Sequence, residues 1–176
     1  MKVFLSEAAF MGLILSSIEV YKRECLGLLL GYKLEDRFIV EYSIAYQSAK
    51  RMRNGVSSNH LRHTRIEKIL SRFDRLELLG DFHSHPQYGL YKGIPQPSSL
   101  DINDMKKGKL YMIVAINDNE RSVRWGENRD GTISGTLDDY HFKISAYHFD
   151  GKRIIRSQIK CPFCLAFENK RVQYRT

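Results

Sequence analysis

The sequence predicts an α/β (α+β) domain with a mixed central β-sheet flanked by helices. Three observations predict it. Apolar residues recur at helical spacing in two places, Ala8–Ile18 and Ile66–Phe73. Short apolar runs of strand length, Leu26–Leu30, Leu78–His85 and Leu110–Ile116, are interleaved with them. The chain of 176 residues, 43% hydrophobic and 27% charged, has the size and composition of one compact core and not of a disordered or fibrous protein.

Taken in order, Ser6 can cap a first helix whose Ala8, Met11, Leu15 and Ile18 form the expected buried stripe, ending near Tyr21–Arg23. Leu26–Leu30, closed by Gly31, reads as a buried strand, and Arg37–Ile44 as its hairpin partner across Lys33–Asp36. A basic loop with an Asn54-Gly55 turn and a Ser57-Ser58 cap signal leads to the second helix. Leu78–His85 is the third strand. Pro86, Gly89, Gly93, Pro95 and Pro97 then forbid regular structure and predict a long, mobile loop. A short helix from Ser98 to about Lys107 precedes the central strand Leu110–Ile116. Arg121–Gly126 is expected to pair back on that strand after Asn117-Asp118-Asn119, and strand-like sequence continues from Thr132 to Ile159.

No apolar run approaches the roughly 20 residues of a membrane helix. Glu7 interrupts the apolar start, so the N-terminus reads as a mature cytoplasmic one. Three cysteines, an odd number, read as reduced thiols or metal ligands. The net charge of +8 is uneven: Tyr46–Arg75 holds eight Lys/Arg against two acids, and Gly151–Thr176 seven against one. Asp81–Asp150 instead carries ten acids against eight bases, so the stretch with the chemistry is no polyphosphate groove, and no base-stacking motif supports nucleic acid as a partner.

Alternate residues of a strand share a face, so His83 and His85 can point two imidazoles at one point, a metal-ligand geometry. A carboxylate from Ser98-Ser99-Leu100-Asp101 can supply a third ligand, leaving the fourth tetrahedral position open as catalytic zinc requires. The same four residues read as a helix-capping box, and a serine at a helix start can serve both ends. Glu24 stands directly before a buried strand, where a charge is costly without a purpose. His60 and His63 on the basic helix read as surface histidines.

The pattern Glu24-Cys25-Leu26-Gly27-Leu28-Leu29-Leu30-Gly31, then His83-Ser84-His85-Pro86, then Pro97-Ser98-Ser99-Leu100-Asp101 resembles the JAMM motif of the JAB/MPN metalloprotease family, over roughly residues 1 to 130. The resemblance implies a cytidine-deaminase-like fold, Zn2+ held by His83, His85 and Asp101, Glu24 as general acid/base, and Ser98 as a hydroxyl donor to the oxyanion. It further implies hydrolysis of peptide or isopeptide bonds in conjugates or precursors of ubiquitin-like proteins, in a prokaryotic-type member. Two alternatives stand beside that reading: a non-catalytic module that keeps zinc and binds a ubiquitin-like protein, and a nucleic-acid-linked protein like the RadC relatives. The domain is expected to span 1–150, and 151–176 to be a basic tail. The tail's Cys161-Pro162-Phe163-Cys164 is half of a zinc knuckle at most, completed by another chain if at all. The loop from Pro86 to Pro97 is longer than the family's usual one, and is expected to bulge outward as a flap bearing Tyr88, Leu90 and Tyr91 without moving the ligands.

Overall fold

The computed structural model describes residues 1–52, 55–57, 60–119 and 121–166. Strand β1 (Lys2–Leu5) leads into helix α1 (Glu7–Glu19), then β2 (Leu26–Lys33) and β3 (Arg37–Ala45). A small hairpin, β4 (Lys50–Met52) and β5 (Gly55–Ser57), precedes α2 (His60–Leu70). There follow β6 (Glu77–Pro86), α3 (Ser99–Asp104), β7 (Leu110–Asp118), β8 (Gly126–Glu127), β9 (Ile133–Leu137), β10 (Tyr140–Phe149), β11 (Ile154–Lys160) and α4 (Pro162–Leu165). The Ser57-Ser58 cap signal and the Asn54-Gly55 turn lie largely outside the described residues.

The architecture is mixed α+β and dominated by strands. Nine of them form one sheet in the order β11-β1-β3-β2-β6-β7-β10-β9-β8, and β11 also pairs with β10, so seven strands close into a ring. The long β10 makes closure possible: Tyr140–Ile144 pair with β9, and Ala146–Phe149 pair with β11 along the same edge. A main core of Phe10, Leu13, Ile14, Leu29, Phe38, Phe82, Met112, Val114, Ile133, Phe142 and Ile144 joins α1 to the strands. On the other face of β2, Leu28 and Leu30 pack with Tyr46, Ile66 and Leu70, seating α2.

Helix α1 begins as expected, with the Ser6 hydroxyl accepting from the Ala9 amide at 3.0 Å and donating to the Glu41 carbonyl at 2.6 Å. Its buried face differs from the expected stripe. Ala9, Phe10, Leu13, Ile14 and Ser17 face the sheet, whereas Met11 and Leu15 are exposed. Apolar residues surround this helix, so periodicity alone admits two stripes. Packing selects the one that sets Gly12 against Ser43, where an added Cβ would lie 2.3 Å from Ser43 Oγ.

The sheet gains a strand at the N-terminus, and one further expectation is corrected. Lys2–Leu5 form a parallel strand between β3 and β11. Residues 121–125 do not pair back on β7, because β6 and β10 occupy both of its edges. They are instead fastened by Thr136, whose Oγ1 accepts from the Val123 amide at 3.0 Å, and by Trp125, which packs edge-on against Phe10 at 4.9 Å. The strand-like sequence read up to Ile159 continues as β11, Ile154–Lys160, inside the sheet. No described helix is long and apolar enough to cross a membrane.

Candidate metal centre

The site lies at the carboxyl end of β6. That strand runs antiparallel to β2, with Leu26 opposite His83, and parallel to β7, with His85 opposite Ala115. Because β6 is central and paired on both sides, its alternating side chains are held to fixed faces. His83 and His85 emerge on one face, and Ser84, fully buried, on the other.

The carboxylate arrives from α3. Ser98 caps this helix, its Oγ accepting from the Asp101 amide at 3.2 Å, while the Ser98 amide donates to Asp101 Oδ2 at 2.6 Å. The expected capping box is therefore present, and it aims the carboxylate. Asp101 Oδ1 lies 3.3 Å from His83 Nε2 and Oδ2 3.7 Å from His85 Nε2, while the two Nε2 atoms are 3.0 Å apart. Bonds of about 2.0–2.1 Å to a zinc ion give tetrahedral edges of about 3.3 Å, and the His83–His85 and His83–Asp101 separations lie near that value. His83, His85 and Asp101 form the one group among the described residues that could hold a metal ion.

Glu24 stands two residues before Leu26. The amide of Ser84 donates to the Cys25 carbonyl at 3.2 Å, carrying the β2–β6 register past its last paired residue, so Glu24 falls level with His85. The Glu24 carboxyl is raised above its ordinary pKa by burial, with His83 opposing and Asp101 adding to the shift. Burial alone would depress His83, but the hydrogen bond and charge of Asp101 outweigh it and leave the imidazole raised. His85 is lowered, by burial and then by the neighbouring His83. For Asp101, burial pushes upward, yet the His83 and Ser98 contacts hold it well below the usual carboxylate range. This site concentrates opposing charges that a divalent cation would rebalance.

The long loop is less free than its composition suggests. Tyr88 and Tyr91 exchange two backbone hydrogen bonds of 2.9 Å about Gly89, whose φ of +54° suits a tight turn, and this tip carries the 98% exposed Leu90. Beyond the tip, the loop is bolted down. The Asn117 side chain makes two hydrogen bonds to the Gly93 backbone, and the Pro95 carbonyl accepts from the Ser145 and Tyr147 hydroxyls at 2.5 and 2.9 Å. The Ile94 carbonyl between these anchors accepts from His85 Nδ1 at 2.8 Å. Beyond the tip the loop is therefore not the free flap expected, since it is hydrogen-bonded to β7 and β10 and bears on a candidate ligand.

Two residues escaped the sequence reading. Ser84 Oγ accepts from the Cys25 amide at 2.8 Å, tying the chain beside Glu24 to the His pair. Its signal was a small polar residue at a core-facing position between two outward histidines. Asn117, buried directly after the apolar run 110–116 of β7, gave a similar signal. His63, read as a surface residue, bridges Tyr46, through a short contact from Nδ1 to the hydroxyl, and Glu67, at 3.2 Å from Nε2, and so pins α2 to the sheet. The side chain of His60 lies outside the description. Cys161 and Cys164 are fully buried in the main core, with Cys164 Sγ donating to the Cys161 carbonyl at 3.1 Å.

The closed sheet thus brings two histidines from a strand end and an aspartate from a capped helix into one group that could hold a metal ion. The model of prokaryotic homologs of the JAB domain matches residues 8–126, and the chain belongs to that family. Among solved structures, the solution structure of protein DSY2949 from Desulfitobacterium hafniense is similar in fold, with a TM-score of 0.60 and 16% identity, covering 90% of this chain and 92% of that one. No curated protein matches the sequence.

Proposed function

We propose that this chain is a zinc-dependent metallopeptidase or isopeptidase acting on conjugates or precursors of ubiquitin-like proteins. The observation that carries the reading is the convergence of His83 Nε2, His85 Nε2 and an Asp101 oxygen at separations suited to a tetrahedral ion, with Glu24 beside them. A bound zinc ion would supply Lewis acidity and lower the pKa of a water toward neutrality.

The remaining chemistry belongs to the chain's own side chains. Glu24, partly desolvated, is a stronger base than an exposed glutamate and accepts the proton of the attacking water. It then returns that proton to the departing amine, without which an amide does not cleave readily near neutral pH. Ser98 Oγ already accepts the Asp101 amide as a helix cap, so its own hydroxyl proton remains to be donated to the carbonyl oxygen as negative charge develops. Asp101, held by the Ser98 amide, keeps its second oxygen aimed at the histidines.

The test is Glu24→Gln, assayed on a ubiquitin-like protein ending in Gly-Gly joined to lysine or to a short peptide. Zinc content and fold are expected to survive while hydrolysis falls by roughly 10² or more. Equal activity in mutant and wild type removes Glu24 from the mechanism. A zinc-loaded wild type that binds such a protein and cleaves no conjugate supports the non-catalytic module instead.

A further inference from the structure

We propose that Asn117 is a positioning residue of the metal centre, acting through a strap formed by Gly93, Ile94 and Pro95 that orients His85. The proposal rests on the reading of His83, His85 and Asp101 as metal ligands.

The argument starts at the imidazole. A carbonyl oxygen can only accept, so the 2.8 Å contact between His85 Nδ1 and the Ile94 carbonyl places the proton on Nδ1. In the neutral ring the lone pair is then on Nε2, the atom that faces His83 Nε2 and Asp101. The Ile94 carbonyl thus selects the tautomer and the rotation that a metal ligand needs.

That carbonyl is not held by regular structure. The Ile94 side chain is 57% exposed and offers little anchorage, so the position of its backbone is set by its two neighbours. On one side, Asn117 Oδ1 accepts from the Gly93 amide at 2.7 Å and Asn117 Nδ2 donates to the Gly93 carbonyl at 3.1 Å. On the other, Ser145 and Tyr147 hold the Pro95 carbonyl. The strap also lies directly on the strand end it serves: a Cβ on Gly93 would sit 1.9 Å from the His85 carbonyl oxygen. Asn117 is 8% exposed at the end of a strand whose residues 110–116 are all buried and apolar. A buried amide costs stability unless its polar atoms are bonded, and here both serve Gly93. Parallel pairing of β6 with β7, Pro86 opposite Ile116, brings Asn117 alongside the residue that follows the ligand strand.

The test uses the full chain and reads the metal site itself. Zinc affinity is measured by competition with a chromogenic chelator, and the geometry of the site by the visible absorption of the Co2+-substituted protein. Asn117→Ala is expected to bind zinc about 10- to 100-fold more weakly, the usual effect of removing a group that orients a ligand, and to shift the cobalt bands, while the metal-free variant still melts cooperatively. If Asn117→Ala fails to fold, Tyr147→Phe, which loosens the same strap at the Pro95 carbonyl without contacting His85, is held to the same readouts. A folded variant with wild-type affinity and an unchanged cobalt spectrum overturns the role of the strap, while the metal-site reading stands. A wild type that binds no zinc overturns that reading and the proposal with it.

Discussion

Removing one oxygen atom, with Ser84→Ala, tests how the two halves of the site are joined. Ser84 is fully buried between the two histidines, and its Oγ accepts from the Cys25 amide at 2.8 Å, while Cys25 itself is 1% exposed. The substitution leaves the histidine face of β6 untouched and removes the hydroxyl that accepts from the buried Cys25 amide. Such a loss costs about 1–3 kcal/mol. In a domain of this size each kcal/mol moves the melting temperature by about 2–4 °C, so a fall of about 2–12 °C is expected. The functional effect is expected to exceed the loss of stability. Glu24 adjoins Cys25, and a displacement of about 1 Å at a reacting group can cost about 10²-fold in rate. The assay pairs thermal melts with kcat and zinc content. The expected result is lowered Tm, lowered kcat and retained zinc. A variant that melts within about 0.5 kcal/mol of wild type, with kcat unchanged, refutes the idea that this hydroxyl couples β2 to the ligand strand.

Two further outcomes follow from the same structure. Asp130 accepts from the Thr132 hydroxyl at 2.6 Å and the Lys143 ammonium at 3.0 Å, and its carboxyl is pulled down to about 2, first by the Thr132 hydrogen bond, against burial, and then by Lys143. A depressed carboxyl contributes stability above its unfolded value of 3.8 and loses it as pH falls toward about 2. Asp130→Asn should therefore lower Tm at pH 7 and converge with wild type through that window, and a gap independent of pH in paired melts would count against the ion pair. Leu90, 98% exposed at the loop tip, is the natural apolar contact for a protein substrate under the proposed function. Leu90→Ser should leave stability within about 0.5 kcal/mol and raise KM with little change in kcat, and an unchanged KM would exclude the tip from substrate contact.

How much of this was legible in the sequence depends on the range of the interaction concerned. Strand alternation is a property of three consecutive residues, so His83 and His85 share a face whatever the rest of the chain does. The Ser98–Asp101 cap is similarly local, and the aspartate's orientation follows from it. What stayed hidden was decided at long range. The seat of α1 depends on Ser43, the parallel strand Lys2–Leu5 on β3 and β11, and the course of residues 121–125 on Thr136. None of these partners lies within the reach of a periodicity.

The loop from Pro86 to Pro97 shows why this distinction matters for function. Pro86 ends β6 as a paired residue, and beyond it the prolines and glycines exclude helix and any strand longer than the Tyr88–Tyr91 bridge; from composition alone such irregular structure reads as free structure. Yet the groups that restrain it are Asn117, Ser145 and Tyr147, polar residues embedded in strands β7 and β10. A polar side chain in a buried strand is costly unless it has a bonded partner, so such residues mark the places where a strand must hold something that is not a strand. Here what they hold is the carbonyl that fixes His85. The two histidines could be found by their spacing, but the precision of the site is set by residues whose only sequence signal is being polar where the pattern demands apolar.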